Sequence, residues 1–437
     1  MTVDLQRGTV SLQPGAGVAS TEAFLARLSV AFADPVRLKI ITELFRREMS
    51  PSQFHGAFGG GSLEAICRQF RKLEQHGWLR LVREEAQEGR GKAGRFYRAP
   101  ELAVFDGAAW ELLPQTVKEE FSWRIFEQFA ERVKWALEAE TIDARNDRHF
   151  TWTPLILDEK GRALVISAVN DLFYLLFEEQ RDAKLRIERS GGTAMHATVG
   201  LSAFDSPTER RNRSGLLLPD PTPVDDEPDR SKFFVRMSKV FRHPLNLKII
   251  TELNLREMSP SQFYREYRER DDLDERDLHR RFRRLTADGW LEVIREDSGG
   301  RLRGATERFY RATGPAIFDT QSWARVPEKV RERFTWRIFE QLAEQVREAM
   351  AAGTFDSKPD RVHVWIALLL DERGWGQVCT ATESLFDLIQ GEERRAAARL
   401  KLPGAKTPEI VTVCLAAFES PADPPSRAVG SYEPWVY

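Results

Sequence analysis

The sequence predicts an α+β protein in which one unit occurs twice. Two observations support this fold class: long segments recur about 210 residues apart, and each copy changes from helical patterning to strand–helix–strand patterning near its middle. The chain has 437 residues, of which 42% are apolar and 30% are charged, so it can form several hydrophobic cores. We therefore expect four domains, two in each copy.

The internal repeat is visible as short identical segments. Leu38–Leu44 and Leu247–Leu253 both have the sequence LKIITEL, and Glu48–Phe54 and Glu257–Phe263 both have EMSPSQF. The offset between the copies grows only from 209 residues here to 214 near the end of each copy, so insertions are small. The pattern divides the chain into a disordered N-terminal tail (1–20), two domains of copy one (21–112 and 113–207), a polar linker (208–231), two domains of copy two (232–325 and 326–421) and a C-terminal tail (422–437).

The overall composition excludes several classes of protein. No apolar run approaches the roughly 20 residues that span a membrane, and the first 20 residues lack a secretory signal. Three cysteines are too few for a disulfide scaffold or for a zinc site with four cysteine ligands, which favours a cytoplasmic location. The net charge of −2 argues against a nucleic-acid partner unless positive charge is concentrated locally.

Capping residues predict three helices in the first domain of each copy. Asp34 and the proline after it begin one helix, and Ser50 begins the next with a proline and a capping-box glutamine. Copy two keeps the second cap at Ser259. Ser62 begins a third helix, which is expected to stop at Gly77 because glycine commonly ends a helix.

The third helix of copy one has an apolar face and a basic face. The outward side carries Arg68, Gln69, Arg71 and Lys72. A strand (78–84), a glycine-rich loop with Arg90 and Lys92, and a second strand (95–99) follow. This order is typical of a winged helix-turn-helix, whose third helix enters the major groove of DNA and whose loop contacts phosphate or the minor groove.

Copy two repeats this order with different charges. Outward positions of its third helix are Arg276, Arg280, Arg281, Arg283 and Arg284, and its loop carries Arg301 and Arg303. Residues 62–99 contain nine Lys and Arg against five Asp and Glu, and residues 276–312 contain ten against six, so each region has a net charge of +4. For copy two the alternative is a solvated helix face whose arginines pair with the acidic residues at 271–275.

The first domain resembles the ArsR-type winged helix-turn-helix of bacterial transcriptional regulators. The resemblance rests on ADPVRLKIITEL, MSPSQF and FRKLEQHGWLRLVRE and covers about 80 residues of each copy. It implies a DNA-binding regulator of transcription. Metal-sensing members carry paired cysteines or clustered His and acidic ligands, whereas here Cys67 is solitary and His279 stands at its place in copy two, so neither a metal nor a cofactor is expected. The expected DNA-binding residues are Arg68, Gln69, Arg71, Lys72, Arg90, Lys92, Arg276, Arg280, Arg281, Arg284, Arg301 and Arg303.

The second domain of each copy is predicted to start with a long helix, at Glu119–Glu140 in copy one. Strands at 150–158 and 363–371 follow, each with an amphipathic helix and a closing strand after it. Because a two-stranded unit is marginal alone, the two units are expected to pair as one four-stranded, ferredoxin-like sheet backed by two helices. Six aromatic side chains there either pack in the core or line a pocket for a small apolar effector: Trp123, Trp152, Phe173, Trp336, Trp365 and Trp375.

The sequence lacks the common catalytic motifs. It has no G-x-S-x-G, P-loop, H-E-x-x-H or C-x-x-C segment, so an enzyme is not expected. The expected function is sequence-specific binding of double-stranded DNA by a monomeric transcriptional regulator, whose two heads are related by an intramolecular pseudo-twofold axis. The alternatives are a winged-helix module that binds another protein, and a ligand-sensing regulator with an apolar effector pocket in the second domains.

Overall fold

The structure is a computed structural model that describes residues 21–85, 94–103, 110, 113–206, 236–271, 273–297, 306–314, 316–317, 323 and 326–424. Within these residues the fold is α+β, and the elements follow the same order in both copies. Copy one contains α1 (Thr21–Phe32), α2 (Pro35–Arg46), α3 (Pro51–Phe58), α4 (Leu63–Gln75), β1 (Arg80–Glu85), β2 (Gly94–Arg98), α5 (Gln115–Glu138), β3 (His149–Leu157), α6 (Glu159–Ser190) and β4 (Met195–Asp205). Copy two contains a helical stretch at 236–240 and then α7 (Pro244–Leu255), α8 (Pro260–Asp271), α9 (Glu275–Ala287), β5 (Leu291–Asp297), β6 (Glu307–Ala312), α10 (Glu328–Ala351), β7 (Val362–Leu370), α11 (Glu372–Leu400) and β8 (Glu409–Glu419).

Three of the predicted segments fall outside this described part of the chain. They are the N-terminal tail (1–20), the linker (208–231) and the C-terminal tail from residue 425 onward.

The predicted starts of the helices are confirmed by their capping hydrogen bonds. Asp34 accepts a backbone N–H bond at the start of α2, and Ser50 and Gln53 make both bonds of the capping box at the start of α3. Ser62 caps α4 and Asp274 caps α9 in the same way. These bonds satisfy N–H groups that have no partner within the helix, so a local signal determines where each helix begins.

The elements α1 to β2 pack around one hydrophobic core and form head one; residues 236–240 together with α7 to β6 form head two. The heads use equivalent contacts. Phe54 of α3 meets Phe70 of α4 edge-on with ring centroids 5.9 Å apart, and Phe263 of α8 meets Phe282 of α9 at the same distance. Each head ends in an antiparallel strand pair, β1–β2 or β5–β6.

The four remaining strands form one antiparallel sheet in the order β3-β8-β4-β7. The two strands of one copy never pair with each other, because a strand of the other copy always lies between them. The expected four-stranded sheet built from both copies is therefore confirmed.

The order of the strands differs from the ferredoxin-like expectation, which is wrong on this point. A ferredoxin-like sheet places the first strand of each strand–helix–strand unit in the middle, whereas here the closing strands β4 and β8 are central and β3 and β7 are the edges. The closing strands are longer, 11 residues against 9, and their residues are almost all buried. The longest apolar strands therefore occupy the positions with a neighbour on both sides.

A layer of two helices covers each face of the sheet. The helices α6 and α11 pack on one face, and α5 and α10 pack on the other. Alternate residues of β8 serve the two cores, with Val413 facing α6 and α11 and Cys414 facing α5 and α10. The long helices α5 and α10 also meet through Phe126 and Phe339, whose rings stack with centroids 6.2 Å apart.

The aromatic side chains considered for an effector pocket lie in or against these cores. Trp375 of α11 is fully buried in the core between the sheet and the helices α6 and α11, and Phe173 packs against the same cluster. The other core takes Trp123, Trp336 and Trp365 as partly buried neighbours. Core packing thus accounts for all six residues, because Trp152 is also a buried member of the second core, and Trp152 borders a cavity as well. No described helix is both long enough and apolar enough to cross a membrane.

Contacts between the copies occur as reciprocal pairs. The N-cap of α6, Asp158, accepts a bond of 2.6 Å from Nε of Arg399 near the end of α11. The N-cap of α11, Asp371, accepts a bond of 2.7 Å from Nε of Arg186 near the end of α6. Each long helix therefore fixes the start of the other, and the copies are related as the two subunits of a twofold dimer would be.

A buried polar cluster repeats this exchange beneath α5 and α10. In the first half of the cluster Arg148 donates to Asp143, which is also in copy one, and to Thr335 of copy two. In the second half Arg361 donates to Asp356, which is also in copy two, and to Ser122 of copy one. Because each of these four charged side chains is less than a tenth exposed, its partners must be present for the charge to be tolerated. The heads follow the same crossing: α2 lies against β7 and α7 lies against β3, so each head contacts the first strand of the other copy.

Candidate nucleic-acid interface

The helix α4 separates an apolar face from a basic one. Ile66, Phe70 and Leu73 are at most 1% exposed and hold the helix against the rest of head one. On the outward face Arg68, Arg71 and Lys72 are exposed, as predicted. Arg68 makes an ion pair of 3.0 Å with Glu64 one turn earlier on the helix, at a solvent-exposed position. Of the described carboxylates, none forms an ion pair with Arg71 or Lys72.

The helix α9 has the same design in head two. Its buried face consists of Leu278, Phe282 and Leu285. The exposed residues on the other side are Arg276, Arg280, Arg283 and Arg284. Arg280 pairs with Asp277, while the part of the chain that the structure describes offers no carboxylate within ion-pair distance of the other three.

Two of the expected DNA-binding residues do not face outward. Gln69 donates to Asp34 over 2.8 Å and accepts from Arg37 over 2.6 Å, so its amide is already engaged inside head one. Arg281 is its equivalent in head two and bonds to Asp277 and Asn246. Both side chains connect the third helix to the start of the helix α2 or α7. Their contact with DNA stays a prediction, but a helical-wheel argument could not detect this bonding across the head.

The charge of Asp277 is set by its arginine neighbours. Burial alone would raise the pKa of this carboxyl group, but hydrogen bonds from Arg281 and Arg280 outweigh burial and lower the pKa below its usual value. Asp277 therefore stays ionised at neutral pH and offsets part of the positive charge at the start of α9. Head one has Ala65 at this position, so α4 carries no equivalent acid.

Several arginines of the strand pairs form ion pairs across their own strands. Arg95 pairs with Glu84 over 2.9 Å and Arg308 pairs with Glu296 over 2.8 Å, each across its own strand pair. Unpaired, exposed positive charge in the described heads thus includes Arg71 and Lys72 of α4 and Arg276, Arg283 and Arg284 of α9, together with Arg80 of β1. The predicted loop residues Arg90, Lys92, Arg301 and Arg303 lie outside the described residues.

The turn after the third helix fixes its direction. Gly77 has φ +72° and Gly289 has φ +78°, a left-handed conformation that glycine adopts without strain. The next residue, Trp78, donates from its indole N–H to the carbonyl of Arg27 over 2.8 Å, and the guanidinium of Arg27 stacks on the same ring. Trp290 is held by the same pair of contacts to the arginine at 236. Each basic helix is therefore mounted rigidly on its head.

One exposed residue was missing from the expected set. Arg283 occupies the position that Arg71 holds in head one, and both are exposed in the last two turns of their helices. The signal that identifies it is the internal repeat, because alignment of the two third helices places Arg71 and Lys72 opposite Arg283 and Arg284.

Neither Cys67 nor His279 has the neighbours of a metal ligand. The described residues contain no group of three or more His, Cys, Asp or Glu side chains placed to hold an ion. Comparisons of the chain with protein-family models, with curated proteins and with solved structures found no match.

Proposed function

We propose that this protein binds double-stranded DNA as a transcriptional regulator and that its two heads are winged helix-turn-helix domains of the ArsR type. The observation that carries the proposal is the set of equivalent, exposed and unpaired cations on α4 and α9. In each head these cations lie on the helix that a winged helix-turn-helix inserts into the major groove.

The free cations supply the electrostatic part of binding. On α4 and α9, five exposed basic side chains form no ion pair with a described carboxylate: Arg71, Lys72, Arg276, Arg283 and Arg284. Unpaired charges contact phosphates without first losing an internal partner, so they contribute more to affinity than the paired arginines of the strand pairs. Arg68 and Arg280 lie one turn closer to the start of their helices, where base contacts are usual.

The two heads differ enough that their half-sites should differ too. Head two presents four exposed arginines and Asp277, while head one presents two arginines, a lysine and no acid at the equivalent position. Sequence preference depends on the side chains that meet base edges. We therefore infer an imperfect rather than a perfect palindrome as the preferred site.

The salt dependence of duplex binding tests this proposal. Five phosphate contacts imply a loss of affinity of about 500-fold between 50 and 200 mM salt. The double variant Arg71→Ala, Lys72→Ala should reduce the slope of log K against log salt by about 1.8. The duplex is first selected from a random pool, and affinity is then measured by fluorescence anisotropy.

A matched control is available outside the two heads. Arg181→Ala with Lys184→Ala removes the same two charges from α6, where the side chains are 53% and 47% exposed. The control should leave the slope unchanged. If no duplex bound at 50 mM salt, or if both double variants lost affinity equally, the proposal would fail and a protein-binding role for the heads would be favoured.

A further inference from the structure

A cavity lies where head two meets the edge of the sheet. It has a volume of about 70 Å³ and is bounded by β3, α7, Ile338 in the middle of α10 and the described residues 316–317 and 323. Its walls combine aromatic rings with neutral polar side chains; the polar groups that carry the argument are His149, Thr151, Thr153, Thr251 and Asn254. We call this space the junction cavity.

The junction of head one can be compared with the junction cavity, because head one contacts β7 as head two contacts β3. At the equivalent positions copy one has Phe45 in place of Asn254, and β7 has apolar residues in place of the polar ones of β3. The three pairs on the strands are His149 and Val362, Thr151 and Val364, and Thr153 and Ile366. Four polar residues thus border one junction where four apolar residues border the other.

Apolar side chains pack together at the junction of head one, so no polar group there needs a ligand as a partner. Phe45 sits edge-on to Phe177 of α6, with ring centroids 6.3 Å apart. The polar junction of head two is not satisfied in this way. No hydrogen bond joins the side chain of Thr251 or Asn254 to another described residue, although both are partly buried. Their polar atoms are not fully buried, so water or a bound molecule can reach them and supply the missing hydrogen bonds.

The charged groups at the junction cavity leave no free charge for an ionic ligand. Arg148 is already bonded to Asp143 and to Thr335. Burial, together with the neighbouring Arg148, lowers the pKa of His149 to about 4, so its ring is neutral at pH 7 and bonds to the hydroxyl of Thr151 over 2.8 Å. An ion entering the cavity would lose its hydration without gaining an opposite charge.

We propose that the junction cavity is a binding site for a small uncharged polar molecule, an amide or an alcohol. The hydroxyl of Thr251 and the amide of Asn254 provide hydrogen bonds, and the rings of Trp152 and Trp323 provide the walls. The volume is about half of the roughly 150 Å³ at which an apolar cavity holds benzene, which limits the enclosed part to about four non-hydrogen atoms.

A molecule bound there touches both head two and the sheet, so it stabilises one position of that head. The effect on DNA rests on the proposed function, because it requires that α9 contact a half-site whose distance from the other half-site is fixed. Ligand binding itself does not depend on that function. The two are therefore measured separately.

Acetamide is the probe for the site, and acetate is its charged counterpart of similar shape. The full-length chain is titrated without DNA while the indole N–H resonances of Trp152 and Trp323, assigned by substitution, are followed by NMR. The proposal predicts a saturable shift of these resonances with acetamide and none with acetate. A shift that grows linearly without saturating, or an equal response to acetate, shows a cavity that holds water only and overturns the proposal.

Variants locate the binding within the chain. Thr251→Val with Asn254→Leu keeps the size of both side chains and removes their hydrogen bonds, so acetamide affinity should fall about tenfold or more. Thr42→Val changes the equivalent threonine of copy one and should leave the affinity unchanged. Equal affinity in the wild type and the double variant would contradict the assignment. Duplex affinity is then compared with and without acetamide: no DNA binding at all would reject the proposed function while leaving the site intact.

Discussion

At the scale of single residues, the two copies solve the same packing problem with different pairs. Gly200 of β4 lies under Phe129 of α5, and a Cβ atom at residue 200 would stand 2.5 Å from the ring. The equivalent pair in copy two is Cys414 with Leu342, both buried in the same core. In copy one a large side chain faces glycine, and in copy two a smaller side chain faces cysteine. Both α5 and α10 can therefore approach their shared face of the sheet closely.

Gly200→Ala should therefore lower the free energy of unfolding by about 1–3 kcal/mol, the usual cost of overpacking a core. Phe129→Leu in the same chain should recover part of this loss, because it replaces the large ring with leucine, the residue that faces a small side chain in copy two. Gly56→Ala is the control: no atom lies within 4 Å of its Cβ position, and alanine favours the helix by about 0.5–1 kcal/mol. Urea unfolding measures all three, and a neutral Gly200→Ala would show that the close approach does not exist.

At the scale of elements, the features that could be predicted from the sequence are those determined by residues close together in the chain. Asp34, Ser50 and Ser62 carry their capping information within four residues, so helix starts followed directly from the sequence. The order β3-β8-β4-β7 depends on packing between residues more than 200 positions apart, and no local pattern encodes it. The inward bonding of Gln69 and Arg281 was missed for the same reason, because their partners belong to another helix.

The histidines of the first strands give a second prediction at this scale. Burial lowers the pKa of His149 to about 4 and that of His363 to about 3, against about 6.5 in an unfolded chain. The folded state thus holds fewer protons than the unfolded state below pH 6.5. The stability that each neutral ring contributes is present above pH 6.5 and is lost progressively as the pH falls toward the folded pKa.

His363→Gln isolates one of these contributions. The difference in unfolding free energy between wild type and variant should shrink by about 2 kcal/mol from pH 7 to pH 5. At low pH only the wild type gains a proton at this ring when it unfolds, and this proton stabilises its unfolded state. A pH-independent difference for His363→Gln would mean that folding does not lower the pKa of this ring.

At the scale of the whole molecule, one chain has the contacts of a dimer. The caps of α6 and α11 are exchanged, the buried clusters of Arg148 and Arg361 each reach into the other copy, and each head rests on a strand of the opposite copy. Removal of one copy would leave the sheet with two non-adjacent strands. The two copies therefore form one folding unit, and a single chain presents both basic helices. The near-zero net charge of the chain conceals this arrangement, because the positive surplus is confined to the two heads.

The central claim is that one chain engages both halves of one DNA site. The most direct measurement is the mass of the complex with the selected duplex, by light scattering or native mass spectrometry. We expect one chain per duplex and two protected half-sites separated by about one helical turn of 10 base pairs, with affinity lost when either half-site is scrambled. Two chains per duplex, each protecting a single half-site, would contradict the claim.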